Sequence, residues 1–212
     1  MSVDAKYWHE KWEQKDIAFH RSDANPLLVR FFSALALKPG SRIFVPLCGK
    51  TLDISWLLGQ GYRVAGAELS KIAIEELFVQ LGAKPTVSKA GKLEKYSADH
   101  VDIFVGDIFD LSADILGAVD AVYDRAALVA FPDELRGRYA THLMEITKKA
   151  PQLLISFEYD QKLLEPPPFS VNPAEVKAHY DGKYSLTLLA DESIPGGLKG
   201  KCPAQEQVWL LR

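Results

Sequence analysis

The turn Leu47-Cys48-Gly49-Lys50 is followed, about twenty residues on, by the carboxylate Glu68, the offset at which an acidic side chain ending the next strand reaches ribose hydroxyls. Gly49 has no Cβ, so its backbone can approach a ligand closely. A second acidic residue, Asp107 in Gly106-Asp107, could accept from an adenine amino group. Tyr123-Asp124-Arg125-Ala126 then sets an anion beside a cation, where a structural ion pair is the plainer account. Each signal is weak alone. Their order (glycine turn, ribose acid, adenine acid) matches a nucleoside laid across successive strands. The G-x-G-x-x-G set that lets backbone approach a pyrophosphate is missing, so a dinucleotide is not expected.

Such residues need strand ends to hold them. From Ser41 onward, apolar runs of strand length alternate with amphipathic helical stretches, the rhythm of parallel α/β units. The runs are Arg42 to Leu47, Arg63 to Glu68, Asp102 to Val105, Asp120 to Asp124 and Leu153 to Tyr159, and two alternating strands, Tyr184 to Ala190 and Gln207 to Leu211, close the chain. We therefore expect an α/β fold with a seven-stranded, mostly parallel Rossmann-like sheet, the last strand antiparallel and helices on both faces. Helices are expected over about 51–59, 70–81, 132–148 and 172–180, with Ser70 and Asn172 as N-caps. Ahead of the core, Asp4 to Gln14 reads as a helix carrying Tyr7, Trp8 and Trp12, and Asn25-Pro26 opens a second that Pro39-Gly40 stops. Residues 1–40 thus form a helical cap on a single 1–212 domain. Glu165-Pro166-Pro167-Pro168-Phe169 reads as a rigid loop over the sheet's end, and Ile194 to Ala204, rich in Gly and Pro, as a mobile loop.

Composition narrows the partners. The formal net charge is -3, so no basic face for nucleic acid is expected. Two cysteines, Cys48 and Cys202, make neither a disulfide framework nor a metal site, and a reducing cytoplasm is the expected compartment. Met1 to Trp12 is too charged for a signal peptide, and no window reaches the ~18 apolar residues of a membrane span. A soluble protein with a small-molecule partner, and a monomer, is expected. A phosphate-free nucleoside that fits the strand ends is S-adenosylmethionine, whose sulfonium favours aromatic faces and carboxylates.

Trp8 to Phe19, Phe44-Val45-Pro46-Leu47-Cys48-Gly49-Lys50, Gly66-Ala67-Glu68-Leu69-Ser70, Asp107-Ile108-Phe109-Asp110-Leu111, Asp124-Arg125-Ala126-Ala127-Leu128-Val129-Ala130 and Pro166-Pro167-Pro168-Phe169 together resemble the thiopurine S-methyltransferase family across nearly the whole chain. The resemblance implies S-adenosylmethionine as cofactor. It implies cofactor contacts at Trp8, Trp12, Leu47, Gly49, Glu68, Leu69, Asp107, Ile108 and Arg125, with Phe19, His20 and Phe169 beside the substrate. Arg125 is the expected catalytic residue, stabilising an anionic sulfur as methyl transfer proceeds in line. Two departures stand out: the family often has a small polar residue at the position of Asp107, and close relatives often have glycine at Ala126.

In-line transfer from a sulfonium asks mainly for alignment and charge stabilisation, so a general base is optional. His20 is the nearest candidate base, and Cys48 reads as a packing residue. Oxyanions of selenium or tellurium, or halide, would suit the same cofactor site with a different slot. A nicotinamide-dependent oxidoreductase and a non-catalytic cofactor sensor are the readings from other classes.

Overall fold

A computed structural model describes residues 5–17 and 22–212. In chain order the helices and strands are α1 (Ala5–Glu13), α2 (Pro26–Phe31), β1 (Arg42–Val45), α3 (Leu52–Gly59), β2 (Arg63–Glu68), α4 (Lys71–Gln80), β3 (Thr86–Ala90), β4 (Leu93–Ala98), β5 (Val101–Val105), α5 (Ala113–Leu116), β6 (Ala121–Arg125), α6 (Asp133–Ile146), β7 (Gln152–Tyr159), α7 (Pro173–Tyr180), β8 (Leu186–Ser193) and β9 (Ala204–Leu211). The expected caps are present: Asn25, Ser70 and Asn172 each accept a backbone N–H from the first turn of their helix, satisfying a donor that the helix leaves open.

The strands form one sheet in the order β3-β4-β5-β2-β1-β6-β7-β9-β8. The middle five run parallel, and their near-continuous apolar sequences bury both faces, as helix-covered parallel strands must. Alternate residues serve opposite layers. Ile43, Val45, Tyr123 and Ile155 pack with Leu28, Ile54, Leu57, Ile74 and Leu77 of α2, α3 and α4. Phe44, Val122 and Leu154 pack with Tyr139, Leu143, Val176 and Tyr180 of α6 and α7.

The sheet has nine strands, two more than expected. The addition is the β3–β4 hairpin, antiparallel to β5. Four of the five residues of β3 are exposed, so no apolar run marks it, and its edge carries Lys89 and Thr86 rather than a buried face. The readable sign was Gly91-Lys92 between paired Ala90 and Leu93, a two-residue turn with glycine first at φ +64°. A second difference lies at residues 194–204. This segment is tied by Leu198 N–H to Cys202 C=O at 2.8 Å and by Ile194 N–H to Ala204 C=O at 2.9 Å, with Leu198 and Cys202 buried, so it continues the β8–β9 ribbon.

After β5 the chain crosses to the other side of β1 to form β6. The crevice at the carboxyl ends of β1 and β6 is therefore the point where strand order reverses, the place an open α/β sheet offers a ligand. Among the described residues no helix is long and apolar enough to cross a membrane.

Candidate active site

Four adjacent strands, β5, β2, β1 and β6, end at this crevice, bringing together Asp107 and Ile108, Glu68 and Leu69, Leu47 and Gly49, and Arg125. The turns share a backbone feature. Leu47 has φ +46°, Gly49 +51°, Gly106 +139° and Ala126 +66°. Left-handed backbone costs a non-glycine residue about 1–2 kcal/mol, so Leu47 and Ala126 hold strain where the ligand would sit. At Ala126 the departure noted in the sequence falls on a conformation that glycine adopts freely and alanine does not.

Glu68 is buried, and its carboxylate organises the first turn. One oxygen accepts the Gly49 N–H at 2.7 Å and the other the Ser70 N–H at 2.8 Å. Burial pushes its pKa up, while these amides and that of Leu69 pull it down. An ionised carboxylate has about four acceptor positions, so these amides orient it and leave capacity for a ribose hydroxyl. The Gly49 amide is the kind of group that faces pyrophosphate in a dinucleotide site, and here it is spent on Glu68. The donor set fits a nucleoside without phosphates.

Trp12 closes the turn from above. A Cβ placed on Gly49 would lie 3.0 Å from the Trp12 ring, so any side chain there would displace the indole. Trp8, half-buried, stands edge-on to Tyr7 at 5.2 Å one turn earlier. Gly66, under the same turn, is packed as tightly, with Ile103 and the Cys48 sulfur against the place of its missing Cβ. The Cys48 thiol is driven well above its ordinary range, by burial first and the nearby Glu68 second, which makes it a packing residue and no nucleophile.

Asp124 and Arg125 do not form the ion pair that their adjacency suggested, because consecutive strand residues face opposite layers. Asp124 is fully buried beneath the sheet. It accepts from the Tyr139 hydroxyl at 2.8 Å and the Leu128 N–H at 3.1 Å, and burial pushes it up to about 6. It thereby anchors the 3-10 turn 128–130 that follows Arg125. Arg125 faces the other side, and its Nε is buried without a hydrogen-bond partner among the described residues. A buried guanidinium N–H left unpaired is costly, and an anionic or polar ligand atom would satisfy it.

Below it, a buried chain ties the cap to the core. The Asn25 backbone N–H donates to Asp53 at 2.6 Å, and the Tyr123 hydroxyl donates to the other Asp53 oxygen at 3.0 Å. Asp107 caps the 3-10 turn 108–110 by accepting the Phe109 N–H at 2.9 Å, and Ile108 is buried. Phe169 directly follows the three prolines of the loop after β7. Its N–H donates to Val129 C=O at 2.7 Å, so the proline loop rests on the turn that Asp124 anchors, but its ring stands 5.7 Å from the Arg136 guanidinium. Phe19 and His20 lie outside the described residues. One residue that sequence reading missed is Lys199, whose ammonium donates to Pro167 C=O at 2.8 Å and so joins the late segment to the proline loop. It sat in a Gly/Pro-rich stretch without periodicity.

A family model described as thiopurine S-methyltransferase matches residues 3–209. The chain belongs to the thiopurine S-methyltransferase family. Curated relatives of that name include one from Xanthobacter autotrophicus, 55% identical over 99% of both chains. Another, from Gluconobacter oxydans, is 49% identical over 97% of this chain and 94% of that one. Among solved structures, the family member is similar to an S-adenosylmethionine-dependent methyltransferase from Anabaena variabilis, with a TM-score of 0.64 and 16% identity over 100% and 96% of the two chains. It is also similar to the 1,6-didemethyltoxoflavin-N1-methyltransferase of Burkholderia thailandensis, solved with S-adenosylhomocysteine, with a TM-score of 0.66 and 14% identity over 99% and 87%. These two show the shared fold. Family membership makes the chain an S-adenosylmethionine-dependent methyltransferase.

Proposed function

We propose that this methyltransferase acts on the sulfur of small aromatic or heterocyclic thiols of the thiopurine kind. The observation that carries the reading is the unpartnered, buried Nε of Arg125 at the switch point, across the β1 end from Glu68, in a chain whose curated relatives bear the thiopurine S-methyltransferase name. When bound, S-adenosylmethionine supplies an electrophilic methyl group on a sulfonium.

The chain's own residues have the remaining tasks. Glu68 holds a ribose hydroxyl, and Asp107 with Ile108 holds the adenine edge. Leu47, Gly49 and Leu69 shape the floor against the cofactor, and Trp8 and Trp12 cover it and exclude water. Arg125 stabilises a thiolate, shifting a bound thiol toward its ionised form, so the thiol proton leaves to solvent before the carbon–sulfur bond forms. The family resemblance assigns Phe169, with Phe19 and His20, to the slot for an apolar substrate ring. A permissive slot of this kind has no hydrogen-bond code for one substrate. The partner is a small thiol, and the protein acts as a cytoplasmic monomer.

The test is a panel of aromatic thiols, halides and selenium or tellurium oxyanions with S-adenosylmethionine, following S-adenosylhomocysteine, on the wild type and Arg125→Gln. Turnover on aromatic thiols is expected, with kcat/KM falling about a hundredfold in the variant as a preorganised charge is removed. The alkaline shift of its pH–rate profile should bring the rise toward the free thiol's own pKa. Turnover confined to the oxyanions or halide, or a variant with an unchanged profile on every thiol, would overturn the substrate class or the role of Arg125.

A further inference from the structure

The turn bearing Asp107 and Ile108 is three residues of 3-10 helix, 108–110. So short a turn has little stability of its own, yet it must hold one carboxylate and one peptide edge at fixed places to read an adenine. The structure shows what braces it. Gly106 N–H donates to Glu68 C=O at 2.9 Å, locking the β5 end to the β2 end. At Gly106 a Cβ would meet Leu93 of the hairpin at 2.6 Å, so Leu93 closes one side. Asp107 accepts the Phe109 N–H with one oxygen.

The remaining brace comes from across the molecule. His142, on α6, has Nε2 at 2.8 Å from the Ile108 carbonyl. A carbonyl only accepts, so Nε2 carries the proton and donates. The same helix grips the turn one step further on. The His142 ring stands 5.4 Å from that of Phe109, and the Arg138 guanidinium, one helical turn earlier, lies 4.0 Å from the centroid of the Phe109 ring. Phe109 also meets Phe131 at 5.9 Å.

We propose that His142 is a positioning residue for cofactor selectivity: by fixing the Ile108 carbonyl it holds the Asp107–Ile108 edge in the register that recognises adenine. The inference rests on the reading of that edge as the adenine site. It adds a residue 34 positions away in sequence, on α6.

Calorimetric titration of S-adenosylhomocysteine and of its inosine analogue, into wild type, His142→Gln, His142→Asn and His142→Leu, tests it. The glutamine amide reaches about as far as Nε2, whereas the asparagine amide falls short. Losing one bond that preorganises the edge should weaken S-adenosylhomocysteine about tenfold in His142→Leu and His142→Asn, and by no more than about threefold in His142→Gln. The preference for adenine over hypoxanthine should shrink in the same two variants, and kcat at saturating cofactor should move less than the cofactor KM. If His142→Leu fails to fold, the glutamine and asparagine pair carries the comparison. Equal affinities and equal base preference in all folded variants would overturn the proposal, as would equal losses in His142→Gln and His142→Asn. A wild type that binds no S-adenosylhomocysteine would instead overturn the reading of the site.

Discussion

Ala126 carries a methyl group at φ +66°, on the peptide that follows Arg125. Its strain and its place are linked, because the left-handed step is what turns the chain from β6 into the 3-10 turn 128–130. Ala126→Gly removes the Cβ penalty of about 1 kcal/mol but frees the unfolded chain by a comparable amount. We expect a thermal midpoint within a few degrees of wild type and a small loss in turnover as the turn loosens, measured by calorimetry and by S-adenosylhomocysteine release. The neighbouring Asp124 gives a pH-dependent expectation. Burial raises it from 3.8 to about 6, so the fold favours its protonated form. Its contribution is fully present below the unfolded value and is lost as pH rises through about 6, a swing of at most about 3 kcal/mol. Asparagine stays neutral throughout, can accept the Leu128 N–H and can donate to Tyr139. Asp124→Asn should therefore gain on wild type in thermal midpoint between pH 4.5 and pH 7.5. A parallel pH dependence of the two proteins would show that Asp124 does not titrate in this window.

At the scale of elements, α1 is nine residues long and marginal as an isolated helix. What fixes it is Trp12, 4% exposed and seated on Gly49, so the cap and the glycine turn stabilise one another. Trp12→Ala removes both the packing and the lid. S-adenosylhomocysteine should bind about tenfold more weakly, and proteolytic cleavage within residues 5–17 should quicken, as expected when a core-facing indole is truncated at a cost of about 3 kcal/mol or more. Unchanged cleavage with unchanged affinity would mean that α1 does not cover the site. α2 stands apart from this, since Asn25 and Asp53 bind it to Tyr123 of β6 independently of Trp12.

Across the whole molecule, what was legible followed physical pattern. Asn25-Pro26, Ser70 and Asn172 announce helix starts because capping is local chemistry, and all three cap as read. The parallel strands were legible because burial on both faces forces apolar runs. The β3–β4 hairpin escaped because an exposed edge strand has no such constraint. In the site, Leu47, Gly49, Glu68, Asp107 and Arg125 were legible as strand-end residues, and the sheet order sets their strands side by side. His142 and Lys199 were not, since their partners Ile108 and Pro167 are distant in sequence and backbone carbonyls leave no trace in residue type. Asp124 misled because adjacent opposite charges suggest an ion pair, whereas strand alternation turns the two side chains to opposite layers.

The central claim is that the β1 and β2 ends form a nucleoside site organised by Glu68. Titration calorimetry of S-adenosylhomocysteine into wild type and Glu68→Ala tests it most directly. The account expects one site per chain, with affinity falling about 10- to 100-fold in the variant, the loss of a charge-assisted bond to a ribose hydroxyl, while a thermal melt confirms that the variant is folded. Equal affinity in a folded Glu68→Ala protein would contradict it.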